Sequence, residues 1–330
     1  MRPKALIVFD MDGVIIDVSR SYRDTVRQTA RLFLKGAGSW EDLPNPLFSL
    51  TDLARVKQSG GLNNDWDLTF LVITLLFTLI KDPTYDQDPD PWIRHNKVIS
   101  SCDVTALSQF LTSHKSPLTS LLKKNGTQKN EFITGLFTGD VGSGNIIKQI
   151  FQEIYLGKEI FEGTYGIPAK MYHEKGFINR EKLIIDRSIL ENLSKTNILA
   201  IATGRPKAEA DYPLDLFELR KFFKITYTLD DCIREEQNIY KNEKRRVCLS
   251  KPDPYMLDAI AEIQKHNVSR CYYIGDMPDD MVAASRSRTG FVGIGILISS
   301  SDKDKLKQDL LQAGADYIIK DFEALKNIIL

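Results

Sequence analysis

The chain has little of what thiol chemistry requires. Its 330 residues include four cysteines, Cys102, Cys232, Cys248 and Cys271, far apart and with no CxxC pair. That spacing argues against a zinc ribbon or a redox dithiol and fits a reducing, cytoplasmic setting. Net charge is also missing, since 44 lysines and arginines face 44 aspartates and glutamates. No overall field then draws nucleic acid or an anionic membrane, so neither is expected as a partner. The basic cluster "KNEKRR" at 241–246 reads as a solvated loop. Long apolar runs are absent as well. The most apolar segment, "LTFLVITLLFTLI" at 68–80, has 13 residues including three threonines, which is too short for a membrane span and suits a buried helix. No small-residue cleavage site follows the apolar run in "MRPKALIVFDMDG", so no signal peptide is expected and a soluble protein is.

What is present is ordinary globular composition, 42% apolar and 27% charged, over a length that favours two domains. Short apolar strands are expected at 5–10, 197–205, 223–231, 270–277, 291–297 and 315–321. Amphipathic helical patterns lie between them at 253–266, 280–287 and 302–313. This alternation predicts an α/β fold, a Rossmann-like doubly wound parallel sheet, whose sites form at the carboxyl ends of strands. Residues 18–184 follow another rhythm: helical patterns at 21–36, 65–81, 103–112 and 145–157, and a proline- and aspartate-rich loop at 82–92. The helix over 151–161 is expected to end at Gly157. The glycines of "TGDVGSGN" at 138–145 lack the strand–turn–helix context of a phosphate cradle. The expected organisation is an α/β core from 1–17 plus 185–330, with a mostly α-helical domain inserted over 18–184.

Four polar motifs close the core strands. "ALIVFDMDG" sets Asp10 and Asp12 at the end of an apolar strand, where carboxylates cost desolvation unless a positive charge compensates. Magnesium, which favours carboxylates, carbonyls and water, would supply it. "GDMPDDM" at 275–281 ends a second strand on Asp276 and enters a helix through Asp279 and Asp280, which helix capping also explains. "ATGRP" at 202–206 places Thr203, Gly204 and Arg205 where a helix N-terminus can meet phosphate. "SKPDPYML" at 250–257 offers Lys251 before another helix.

In order, DMDGV, TGR, KP and GDMPDD resemble the signature of the haloacid dehalogenase superfamily, and specifically subfamily I phosphatases with a helical cap after the first motif, here an enlarged one. The resemblance covers residues 1–17 and roughly 185–330. It implies a Mg²⁺-dependent phosphatase of a small-metabolite phosphate monoester, working through an aspartyl-phosphate. Asp10 would be the nucleophile and Asp12 the general acid and base. The Asp10 carboxylate, the Asp12 carbonyl and Asp276 would hold Mg²⁺, with Asp280 supporting that shell. Thr203, Gly204 and Lys251 would hold the phosphoryl oxygens. A phosphomutase using the same nucleophile, or a non-catalytic protein of this fold, are the alternatives.

Within the insert, "SGGLNNDWDL" at 59–68 precedes the apolar helix. Asn64 or Asp65 would cap that helix and Trp66 anchor it. The functional alternative is a substrate loop carrying Asn63, Asn64 and Trp66, with Arg205 extending the polar lining.

Overall fold

The computed structural model describes residues 4–60, 64–81, 83–127, 129–264, 268–300 and 302–329. Along the chain, β1 (Lys4–Phe9) and β2 (Ile16–Asp17) precede helices α1 (Tyr22–Phe33), α2 (Leu50–Gly60), α3 (Asp65–Phe77), α4 (Pro91–Ser100), α5 (Thr105–Ser113), α6 (Pro117–Asn125), α7 (Glu131–Gly135) and α8 (Ile146–Tyr165). Then come β3 (Lys182–Leu183), α9 (Arg187–Thr196), β4 (Ile198–Ala202), α10 (Lys207–Leu216), β5 (Phe223–Tyr227), α11 (Leu229–Glu243) and α12 (Tyr255–Gln264). The chain finishes through β6 (Val268–Gly275), α13 (Pro278–Arg286), β7 (Val292–Ile296), α14 (Lys303–Gln312) and β8 (Tyr317–Ile319). It divides into two compact units, one formed up to Val18 and again from Glu181, the other from Ser19 to Arg180.

The first unit is built on a six-stranded parallel sheet in the order β5-β4-β1-β6-β7-β8. Strand alternation sends Ile7 and Phe9 of β1 to one face, with Leu190 of α9 and Ala210 and Leu214 of α10. Leu6 and Val8 go to the other face, with Cys232 of α11, Met256 and Ile260 of α12, and Ala283 of α13. Helices therefore cover both faces, and the central strands are apolar on both sides. The strand expected at 223–231 stops earlier. It ends at Tyr227, because the Thr228 backbone N–H finds the Asp231 carboxylate at 2.9 Å and α11 starts there. A short antiparallel ribbon, Ile16 opposite Leu183 and Asp17 opposite Lys182, joins the two chain segments of this unit.

The second unit is helical. Tyr22, Val26, Ala30 and Phe33 form the buried stripe of α1, and Tyr22 stacks on Tyr155 of α8 with ring centroids 4.3 Å apart. The loop expected over 82–92 is shorter than that, because α4 already begins at Pro91. The Asp90 side chain accepts the backbone N–H groups of Trp92 and Ile93, and proline suits the first helical position. The span of α8 is two helical stretches: the first ends at Gly157 as expected, where φ and ψ are not helical, and a second runs on to Tyr165. Gly157 adopts φ 74°, and a Cβ at this position would lie 2.1 Å from the Gly176 amide nitrogen. Only glycine satisfies both conditions. Among the described residues, no helix is long and apolar enough to cross a membrane.

Candidate active site

The carboxyl ends of β1, β4 and β6 gather the polar motifs of the first unit. Asp10 follows β1, and its backbone N–H reaches the Ile274 carbonyl of β6 at 2.8 Å. The chain then folds into a tight turn, with the amides of Ile15 and Ile16 both reaching the Met11 carbonyl at 2.9 Å. Gly13 permits that turn. It has φ 73°, and a Cβ there would lie 2.0 Å from Asp276 Oδ2, so the close approach of the turn to Asp276 needs the missing side chain.

Lys251 Nζ bridges two carboxylates, donating to Asp10 Oδ1 at 2.7 Å and Asp280 Oδ1 at 2.8 Å. Carboxylate oxygens of Asp10, Asp276 and Asp280 all lie within 4.8 Å of one another. Burial pushes Asp10 well above the usual carboxylate range, against the pull of Lys251 and with the repulsion of Asp280 and Asp276. Burial, with Asp280 next, raises Asp276 to about 7. Lys251 loses proton affinity to burial, but the Asp10 and Asp280 carboxylates more than restore it and hold its ammonium well above the ordinary lysine range.

These carboxylates are not equivalent. Asp280 takes three donors: besides Lys251, Tyr273 Oη donates to Oδ1 at 2.8 Å and the Met277 amide to Oδ2 at 3.0 Å. Asp276 accepts Ser299 Oγ on Oδ2 at 2.9 Å. Among the described residues, donors thus reach one oxygen each of Asp10 and Asp276. An all-oxygen set carrying more negative charge than one ammonium balances, with acceptor oxygens in reserve, fits a hard divalent cation such as magnesium. Asp10 and Asp276 are its candidate holders, and Asp280 is bound up in supporting Lys251 and the start of α13.

Thr203 follows β4, with its amide on the Tyr227 carbonyl at 3.0 Å and its hydroxyl accepting the Arg205 amide at 3.2 Å. Gly204 is exposed, and a Cβ there would meet open space, leaving room for an anion at the backbone. Asp12 Oδ1 accepts Arg205 Nε at 2.6 Å. Arg205, expected to extend a polar lining, is instead only 2% exposed. Its terminal nitrogens grip Glu181, Nη1 to Oε2 at 3.0 Å and Nη2 to Oε1 at 3.1 Å.

The structure therefore brings Asp10, Asp276, Asp280 and Lys251 into one cluster, with Asp12 and Arg205 forming a second group beside it. Sequence reasoning did not single out Glu181, Ser299 or Tyr273, which no motif marks. Asn64 belongs to the second unit and caps α3: its Oδ1 accepts the Asp67 amide at 2.7 Å. Lys148 Nζ sits 4.1 Å from the Trp66 ring centre. Asn63 lies outside the described residues.

Comparison with known proteins agrees with this architecture. Residues 144–288 match the family model for haloacid dehalogenase-like hydrolases. An X-ray structure from the Northeast Structural Genomics Consortium superimposes with a TM-score of 0.67 at 22% identity, covering 98% of each chain. A phosphatase from Thermococcus thioreducens does so with a TM-score of 0.51 at 21% identity, covering 93% of this chain and 99% of the other. These likenesses show the fold. An imidazoleglycerol-phosphate dehydratase of Phytophthora nicotianae is 35% identical over 71 residues, 22% of this chain. That match spans only 13% of the dehydratase.

Proposed function

We propose that this protein is a haloacid dehalogenase-like hydrolase, a Mg²⁺-dependent phosphatase acting on a small-metabolite phosphate monoester through an aspartyl-phosphate on Asp10. The observation that carries the reading is the Lys251 ammonium seated between Asp10 and Asp280 with Asp276 beside them. It seats an ammonium on the carboxylate that follows β1, and β1 pairs with β4, the strand that leads to Gly204. Magnesium, held by the carboxylates of Asp10 and Asp276 and the carbonyl of Asp12, would supply positive charge to the phosphoryl oxygens.

An Asp10 oxygen bonds to phosphorus as the ester P–O bond breaks, and a proton on Asp12 passes to the departing alkoxide to give the alcohol. Water then attacks phosphorus and returns a proton to Asp12. The Asp10–phosphorus bond breaks, and inorganic phosphate leaves with Asp10 again a carboxylate and Asp12 again protonated. Lys251, the Thr203 hydroxyl and the backbone at Gly204 hold the phosphoryl oxygens through this exchange, the electrostatic positioning that a loose transition state requires. Asp280 keeps Lys251 in place. Asn64 and Trp66, with Asn63 as a further candidate, are our proposed substrate residues outside the phosphoryl site, and the proposed setting is cytoplasmic. A panel of metabolite phosphates with Mg²⁺, scored by phosphate release, tests the reading. Release from at least one ester is expected, and no release from any, nor from an aryl phosphate, would refute it.

A further inference from the structure

Neither phosphate nor metal handling accounts for the buried Arg205. Its side chain is 1% exposed and so is that of Glu181. Nη1 and Nη2 take both oxygens of Glu181, and Nη1 also reaches the Glu209 carbonyl at 3.0 Å. A planar guanidinium held by its fork cannot swivel, so the direction of Nε–H is fixed, and it ends on Asp12 Oδ1 at 2.6 Å. Asp12 itself has a side chain 35% exposed. Without this contact its terminal torsion would be broad and two-fold.

The geometry points to Arg205, braced by Glu181, as a positioning residue for the proposed phosphatase reaction: it claims Oδ1 of Asp12 and turns Oδ2 toward the leaving group. The inference rests on the phosphatase reading. In the step it serves, the proton on Oδ2 passes to the ester oxygen as the P–O bond breaks, while Arg205 keeps all its own protons. Asp12 also takes the proton of water in the second step, which both esters share, but kcat/KM reads the steps up to alcohol departure and so isolates the leaving-group side. A purely structural ion pair would support every substrate alike.

The test uses the full chain with Mg²⁺ and two esters, a primary alkyl phosphate and p-nitrophenyl phosphate. The alkoxide needs a proton to leave, and the nitrophenolate does not. Two variants are compared with the wild type. The double variant Arg205→Gln/Glu181→Gln removes both buried charges together, so neither is left unpaired. Arg205→Lys keeps the charge and loses the fork, and it carries the test should the double variant not fold. In each, kcat/KM for the alkyl ester is expected to fall by about 100-fold, mostly in kcat, and for the aryl ester by about threefold or less. Parallel losses on both esters with a lower melting temperature, or no loss on either, would overturn the inference. A wild type inactive on both esters would instead overturn the phosphatase reading itself, which is visible before any variant is made.

Discussion

Asp276 shows at the scale of one residue what the site costs the fold. Burial raises its carboxyl from 3.8 to about 7. Below about pH 4 both folded and unfolded chains hold this proton, and the group costs nothing. As pH climbs toward about 7 the unfolded chain ionises first, so stability falls, and above about 7 the whole penalty is present. Asp276→Asn should therefore stabilise the metal-free protein near pH 8 by about 1–2 kcal/mol, after allowance for solvent screening of a half-buried group, and change little near pH 4. Denaturant melts at the two pH values check this, and a destabilised variant near pH 8 would refute it. Asp10→Asn keeps the volume, and Lys251 retains Asp280 as its partner, so the variant should fold and melt normally while turnover drops to background. Near-normal activity in folded Asp10→Asn would remove the nucleophile from the proposal.

At the scale of elements, the end of a helix separates two roles for the 64–66 region. Asn64 caps α3 through the Asp67 amide. Replacing it by alanine should lower stability by about 1 kcal/mol. If Asn64 also reads substrate, Asn64→Ala should in addition lower kcat/KM for the physiological ester about three- to twelve-fold more than for an aryl phosphate. Equal losses on both esters with a lower melting temperature would leave capping alone.

The same scale explains what sequence could and could not show. The parallel sheet was legible because β1, β4 and β6 are short apolar runs that each stop at a polar residue. The start of α4 was missed although Asp90–Pro91 is an ordinary cap and first turn, because the prolines and aspartates before it dominate the local composition. The helix break at Gly157 was legible from its glycine, but the second helical stretch after it was not, since the packing of Gly176 against Gly157 comes from a distant part of the chain. Asp10, Thr203 and Asp276 could be placed near one another from strand ends alone, whereas Lys251 and Asp280 joined them only through the family resemblance. The direction of Arg205 was legible from neither, since it depends on Glu181, 24 residues away in the chain, and on Asp12, 193 away.

For the whole molecule, a cation that binds only the folded state must stabilise it. At about 100 times its dissociation constant, Mg²⁺ should add about 2.7 kcal/mol. Thermal melts should show that gain with wild type and lose it with Asp276→Asn. EDTA should abolish turnover, Mg²⁺ restore it, and Ca²⁺, with its larger and looser shell, fail to do so. Full turnover in metal-free buffer would contradict the metal assignment. A phosphomutase would use the same Asp10 but return the phosphoryl group to substrate, and product analysis on the phosphate panel distinguishes the two.

The central claim is that Asp10 carries the phosphoryl group. The most direct measurement is an acid quench during turnover with Mg²⁺, followed by mass analysis of the segment containing residues 5–17. The account predicts one phosphoryl group on Asp10 in the wild type and none in Asp10→Asn. Phosphate release by the wild type with Asp10 unmodified at every quench time would contradict it.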